Sequence, residues 1–174
     1  MGGSGSRAVY TPPKQPQITA VTHEAFKPSE ILNHTWYEIA RLKNDFEKDC
    51  FSVAHVVSQV PTGFLLSSGC YGKDGIPISE KQGRLYIPNP NDPSKMQLVY
   101  PNWFGGNPID FWIYDADMAK GYLVVGNQQG MGWILSIKET MSWCVAKEIL
   151  EKMEKRGFNL NPDNVWFKWK PITC

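Results

Sequence analysis

Short runs of alternating apolar and polar residues dominate the chain from residue 34 onward, and turn-forming residues bound each run. A period of two is typical of a half-buried β-strand, because successive side chains point to opposite faces of a sheet. Clusters rich in Gly, Asn, Asp and Pro, such as 72–75 and 105–108, separate the runs as turns do. The pattern predicts eight strands, at residues 35–42, 51–59, 63–71, 83–88, 96–100, 109–114, 122–127 and 133–138.

One segment near the carboxyl end departs from this alternation. Apolar residues recur at 145, 149, 150 and 153, which is the spacing of one face of a helix, and Gly157 suits the position after its last turn. Alternation resumes at 165–170 and predicts a short ninth strand. The order indicates an all-β fold, either an up-and-down barrel or a sandwich, with one helix packed outside the sheet.

The domain organisation is simple. A chain of 174 residues and 19.7 kDa suits one domain with a substantial core. Residues 1–6 resemble an expression leader, and residues 7–30 contain four prolines and no periodicity, so we expect an extended arm. Residues 31–174 are then a single domain.

The charge balance and the motif content exclude several functions. With 18 basic and 17 acidic residues the net charge is +1, which disfavours binding to nucleic acid. No phosphate-binding loop, dinucleotide fingerprint or serine-hydrolase elbow is present, so the sequence gives no sign of an enzyme. The three His and four Cys residues lack close pairs, so neither a metal site nor another cofactor is expected.

Three short blocks resemble the signature motifs of the lipocalins. They are Thr-Trp-Tyr-Glu at 35–38, Trp-Ile-Tyr-Asp at 112–115 and Trp-Ile-Leu-Ser at 133–136, and Arg-Gly-Phe at 156–158 ends the predicted helix. The chain is especially similar to the branch that contains bacterial outer-membrane lipocalins and apolipoprotein D. The resemblance implies an eight-stranded antiparallel up-and-down barrel with one carboxyl-terminal helix outside and a short ninth strand.

The resemblance also implies which residues face the barrel interior. Trp36 has a structural role at the closed floor, and Ala40 shares its inner face. The other inward positions form a mostly apolar lining, which suits a small-ligand pocket with a few polar points. The expected ligand-binding residues are Glu38, His55, Phe64, Leu66, Cys70, Leu85, Ile87, Leu98, Tyr100, Ile109, Phe111, Ile113 and Trp133.

The implied function is binding, storage or transport of a small hydrophobic ligand, such as a fatty acid, another lipid, an isoprenoid or a tetrapyrrole. One alternative is an isomerase that uses an inward Cys70 thiol. Another is a protein-interaction domain whose barrel is filled by its own side chains. The partner expected is a small lipophilic ligand, and Trp103-Phe104 at the mouth suggests peripheral contact with a membrane. The sequence does not specify an oligomeric state.

The cysteines indicate an oxidising compartment, because Cys174, as the last residue, is better suited to a disulfide bond than to packing in a core. The resemblance to apolipoprotein D implies a disulfide between Cys50 and Cys174, which leaves Cys70 and Cys144 as free thiols. We therefore expect a protein that is secreted, periplasmic or anchored on the non-cytoplasmic side of a membrane, after removal of a signal peptide.

Overall fold

The computed structural model describes residues 25–101, 106–128 and 130–168. A short 3-10 helix, Pro28–Ile31, precedes the sheet. The regular elements that follow are β1 Thr35–Leu42, β2 Ser52–Val60, β3 Gly63–Tyr71, β4 Pro77–Tyr86, β5 Lys95–Val99, β6 Ile109–Asp117, β7 Tyr122–Gly126, β8 Gly132–Ser136, α1 Trp143–Lys155 and β9 Val165–Phe167.

The eight main strands form a closed antiparallel ring. Each strand from β1 to β8 pairs with the next one along the chain, and β8 returns to pair with β1. β9 lies antiparallel to the end of β1. This closure confirms the predicted up-and-down barrel and excludes the sandwich. β1, β3, β5 and β7 run from the floor of the barrel to its mouth, and the strands between them run back.

The floor of the barrel is closed by residues that precede β1. Trp36 is 1 % exposed, and its indole Nε1 donates to the carbonyl oxygen of Ile31 at 3.0 Å. Phe26 is also buried in this core. Phe26 and the 3-10 helix therefore lie within the last residues of the predicted extended arm. Residues 7–24 of that arm lie outside the described residues.

A second core joins the helix to the outside of the barrel. α1 buries Ala146, Ile149 and Met153 against the outer faces of β1, β7 and β8. Gly157, with φ +96°, reverses the chain after the helix, in a conformation that favours glycine. This confirms the predicted placement of the helix. No helix in the described ranges has the length and hydropathy needed to cross a membrane.

A bulge in β1 changes which residues face inward. The pairing of β1 with β8 slips between Glu38 and Ala40, so Ile39 and Ala40 both join the core under the helix. The prediction that Ala40 shares the inner face is therefore wrong. The slip also turns Arg41 toward Glu38, which places a guanidinium group inside the mouth.

A disulfide staples the mouth of the barrel. Cys50 is bonded to Cys70, with 5.3 Å between their Cα atoms. The loop after β1 reaches the end of β3, where the amide of Phe51 donates to the carbonyl oxygen of Tyr71 at 2.9 Å. The predicted Cys50–Cys174 bond is therefore wrong. Cys144 is also disulfide-bonded, so the prediction of free thiols at 70 and 144 is wrong as well. Cys174 lies outside the described residues.

Peptide mapping without reduction tests this connectivity. The peptides that contain Cys50 and Cys70 should be recovered as one linked species that separates after reduction. Their Cα separation lies in the range that an unstrained disulfide needs. Recovery of Cys50 linked to the carboxyl-terminal peptide would contradict the arrangement of the mouth.

Candidate ligand-binding site

The mouth half of the barrel contains a narrow apolar cavity. Its unfilled volume is about 40 Å³, which is room for about three water molecules. Strands on all sides of the ring and the loop between β1 and β2 contribute to its wall. The lining residues are Phe46, Glu47, His55, Leu66, Lys81, Leu98, Tyr100, Ile109, Asp110, Phe111, Val125, Trp133 and Leu135.

The structure divides the residues predicted to bind ligand into three groups. Seven line the cavity: His55, Leu66, Leu98, Tyr100, Ile109, Phe111 and Trp133. Four pack in the core toward the floor: Phe64, Leu85, Ile87 and Ile113. The remaining two lie at the mouth, where Cys70 borders a second recess and Glu38 is completely buried behind it. A role for Glu38 in ligand binding stays a prediction.

Sequence reasoning missed three functional groups at the mouth. Phe46 and Glu47 belong to the loop between β1 and β2, where no periodic pattern reports orientation. Lys81 lies on β4, whose first residues are too polar to read as a strand, so the prediction began that strand at residue 83. The alternation that places Leu85 inside the barrel also places Lys81 inside, so extending the strand to residue 81 would have predicted its position.

A buried ionic cluster connects the mouth loop to the barrel. Arg41 Nη1 donates to Glu38 Oε2 at 3.0 Å, and its Nη2 donates to the carbonyl oxygens of Glu47 and Cys50 at 2.7 and 2.9 Å. The guanidinium group also stacks on Trp166 of β9, 3.8 Å from the ring centroid. One cation therefore fixes the loop that covers part of the cavity.

Glu47 is the carboxyl group of this cluster that resists ionisation. Its Oε2 accepts hydrogen bonds from Asn44 Nδ2 at 2.7 Å and from Trp133 Nε1 at 3.0 Å. Burial, followed by the charge of the neighbouring Glu38, raises the pKa of Glu47 to about 7. The pKa of Glu47 therefore lies near neutral pH, well above that of an exposed glutamate.

Glu38 is the partner that stays ionised. Burial opposes its charge, but the hydrogen bond from His55 and the positive charge of Arg41 outweigh burial and hold the pKa of Glu38 below its ordinary value. His55 lies between Glu38 and Ser68: its Nε2 is 2.9 Å from Glu38 Oε1, and its Nδ1 is 2.7 Å from Ser68 Oγ.

Aromatic rings and one lysine form the entrance. Phe46 packs against Trp133 with 6.4 Å between the ring centroids, and Lys81 Nζ lies 4.8 Å from the centroid of Phe46. Partial burial lowers the pKa of Lys81. The entrance is therefore polar and aromatic, whereas the rest of the cavity lining is apolar apart from Asp110. Trp103 and Phe104, predicted to lie at the mouth, are outside the described residues.

The comparisons with known proteins agree with this architecture. The family model for the lipocalin-like domain matches residues 32–164. The chain is a lipocalin. It is 30 % identical over 164 residues to the outer membrane lipoprotein Blc of Citrobacter freundii, with 91 % of this chain and 85 % of the relative aligned. The lipocalin therefore falls in the bacterial Blc-like branch that the sequence motifs indicated.

Solved structures share the fold at low sequence identity. Insecticyanin from the tobacco hornworm Manduca sexta is 16 % identical with a TM-score of 0.65, over 90 % of this lipocalin and 86 % of that chain. Lobster apocrustacyanin A1 is 18 % identical with a TM-score of 0.58, over 90 % and 92 %. A biogenic amine-binding protein is 15 % identical with a TM-score of 0.58, over 86 % and 85 %.

Proposed function

We propose that this lipocalin binds and carries a small amphipathic lipid with one slender acyl chain. The observation that carries the proposal is the apolar cavity between the packed floor and the polar mouth. Leu66, Leu98, Ile109 and Phe111 supply apolar surface for a chain, and His55 and Lys81 lie where a head group would remain. Burial of apolar area stabilises such a complex by roughly 25 cal/mol per Å².

The size of the cavity favours a thin ligand over a broad one. About 40 Å³ is unfilled, so entry requires side chains to move and a flat tetrapyrrole would require the largest rearrangement. Phe46 is the side chain best placed to move, because it comes from a loop and packs across the entrance. Fatty acids and lysophospholipids are therefore the ligand classes we propose.

Two other functions were open from the sequence. Cys70 forms a disulfide with Cys50, so it does not supply the thiolate that the isomerase alternative requires. The filled-barrel alternative predicts that lipids bind nowhere in the interior, and the binding experiment below separates it from the carrier. Peripheral contact with a membrane stays a prediction.

Two observations bear on the location of this lipocalin. The disulfide between Cys50 and Cys70 supports an oxidising environment. The related protein is an outer membrane lipoprotein, and we infer a non-cytoplasmic location for this lipocalin by the same relationship. We propose that the protein is secreted, periplasmic or held by a lipid anchor on the non-cytoplasmic side of a membrane.

A substitution at Phe111 tests ligand binding. Oleic acid should quench tryptophan fluorescence with micromolar affinity, since Trp133 lines the cavity. Phe111→Arg should weaken binding at least tenfold, because a lipid chain would then bury an unpaired charge. The matched control is Gln82→Arg, on the exposed outer face of β4. Equal affinities for both variants, or no saturable quenching by the wild type, would contradict the carrier function.

A further inference from the structure

A serine, a histidine and a carboxylate form one hydrogen-bonded line at the mouth of the barrel. Ser68 Oγ lies 2.7 Å from His55 Nδ1, and His55 Nε2 lies 2.9 Å from Glu38 Oε1. The three residues come from β3, β2 and β1, three adjacent strands of the ring. Nucleophile, base and orienting acid within hydrogen-bond reach are the geometric mark of an acyl-transfer site.

The hydrogen bonds dictate the useful tautomer of the imidazole. Glu38 is wholly buried, pairs with Arg41 at 3.0 Å and stays ionised. Its carboxylate therefore accepts a hydrogen bond from the ring nitrogen of His55 that carries the proton. The proton of a neutral His55 is then on Nε2, and Nδ1 has the lone pair that accepts from the hydroxyl of Ser68. Glu38 thus orients His55 as a base toward Ser68.

The serine borders an open recess rather than packed core. This recess, with about 30 Å³ unfilled, is lined by Ser68, His55, Tyr100 and Lys81 and lies beside the lipid cavity. Burial raises the pKa of Tyr100 to about 12, so its hydroxyl remains a donor. The hydroxyl of Tyr100 is hydrogen-bonded to Ser68. The ammonium group of Lys81 lines the same recess and supplies positive charge for the carbonyl oxygen during acyl transfer.

We propose that Ser68, His55 and Glu38 hydrolyse a carboxylic ester whose acyl chain occupies the lipid cavity. The position of the chain rests on the proposed carrier function. Ser68 and His55 are the catalytic residues, and Glu38 is a positioning residue.

The chemistry balances with water as the co-reactant. Ser68 Oγ bonds to the ester carbonyl carbon while its proton passes to His55 Nδ1. The bond from the carbonyl carbon to the alcohol oxygen breaks, and the alcohol leaves with that proton. Water then attacks the acyl-serine with His55 as base, which releases the carboxylic acid and restores the serine hydroxyl.

Hydrolysis of p-nitrophenyl butyrate by the full chain provides the first test. The wild type should hydrolyse the ester faster than buffer alone does. Ser68→Ala and His55→Ala should each lower this additional rate about 100-fold. Ser67→Ala is the matched control, because Ser67 is the preceding residue and its hydroxyl accepts from Gln82 Nε2 on the outer face. Glu38→Gln should lower kcat with KM unchanged. Equal rates for Ser68→Ala and Ser67→Ala would overturn the proposal.

A covalent probe supplies a readout that does not depend on turnover. A fluorophosphonate should phosphonylate Ser68 with loss of fluoride, and mass spectrometry should place the adduct on that residue in the wild type and in Ser67→Ala. An unlabelled Ser68 overturns the proposal. Displacement of bound oleic acid by the ester without hydrolysis would refute catalysis and leave the carrier intact, whereas failure of both ligands to bind would refute the carrier function.

Discussion

Replacement of Arg41 with methionine should lower the free energy of unfolding by roughly 3 to 5 kcal/mol. Arg41 is 3 % exposed, and its hydrogen bonds go to Glu38 and to the carbonyl oxygens of Glu47 and Cys50. Methionine fills similar space but donates nothing, so the ionised Glu38 would remain buried without its cation. Urea unfolding of both proteins at pH 7.5 measures the difference.

Two further variants separate this effect from a general loss of charge. Arg84→Met removes an exposed guanidinium group whose Nη1 donates to Thr62 Oγ1 at 3.0 Å, and we expect a change in the free energy of unfolding below about 0.5 kcal/mol. Adding Glu38→Gln to Arg41→Met should recover part of the lost stability, because the uncompensated charge is then absent. An Arg41→Met variant as stable as Arg84→Met would show that the cluster does not hold the mouth together.

The Glu47→Gln variant should be more stable than the wild type at pH 8, and the difference should shrink to below about 1 kcal/mol at pH 5. The pKa of Glu47 rises from an ordinary 4.5 to about 7 in the folded protein. Between these values the folded state binds more protons than the unfolded state, so stability falls as the pH rises through this window. Protonated Glu47 hydrogen-bonds Glu38, and glutamine resembles the protonated acid because its amide group can donate in the same way. The difference should approach about 3 kcal/mol above pH 7.

Denaturation curves at half-unit steps from pH 5 to pH 8 measure this effect. Glu38 does not obscure it, because its lowered pKa places its own titration below the window. The control is Glu148→Gln, an exposed position on α1, which should follow the wild type at every pH. If the free energy of unfolding of the wild type falls with pH no more steeply than that of Glu47→Gln, then Glu47 is ionised throughout this pH range.

The sequence was sufficient to predict the ring of strands and much of the cavity wall. Leu66, Leu98, Ile109 and Phe111 sit on strands whose alternation is uninterrupted, so their inward direction followed from the barrel. The helix was predictable for the same reason, since its apolar spacing belongs to no strand. In these regions local pattern and tertiary packing agree.

The errors lie where long-range geometry overrides local pattern. The bulge after Glu38 inverts the alternation of β1, and nothing in the residues themselves reports it. Four cysteines permit three pairings, and spacing does not choose between them. The alignment of Ser68, His55 and Glu38 depends on the registers of three strands, so no sequence motif could reveal it.

Native mass spectrometry of the delipidated protein with palmitic acid tests the central claim most directly. We expect one lipid per chain, with saturation in the micromolar range, because the apolar cavity of the barrel is narrow and has room for one acyl chain. Gln82→Arg should retain the complex and Phe111→Arg should lose it. No complex with the wild type, or stepwise addition of several lipids that Phe111→Arg does not reduce, would contradict binding inside the barrel.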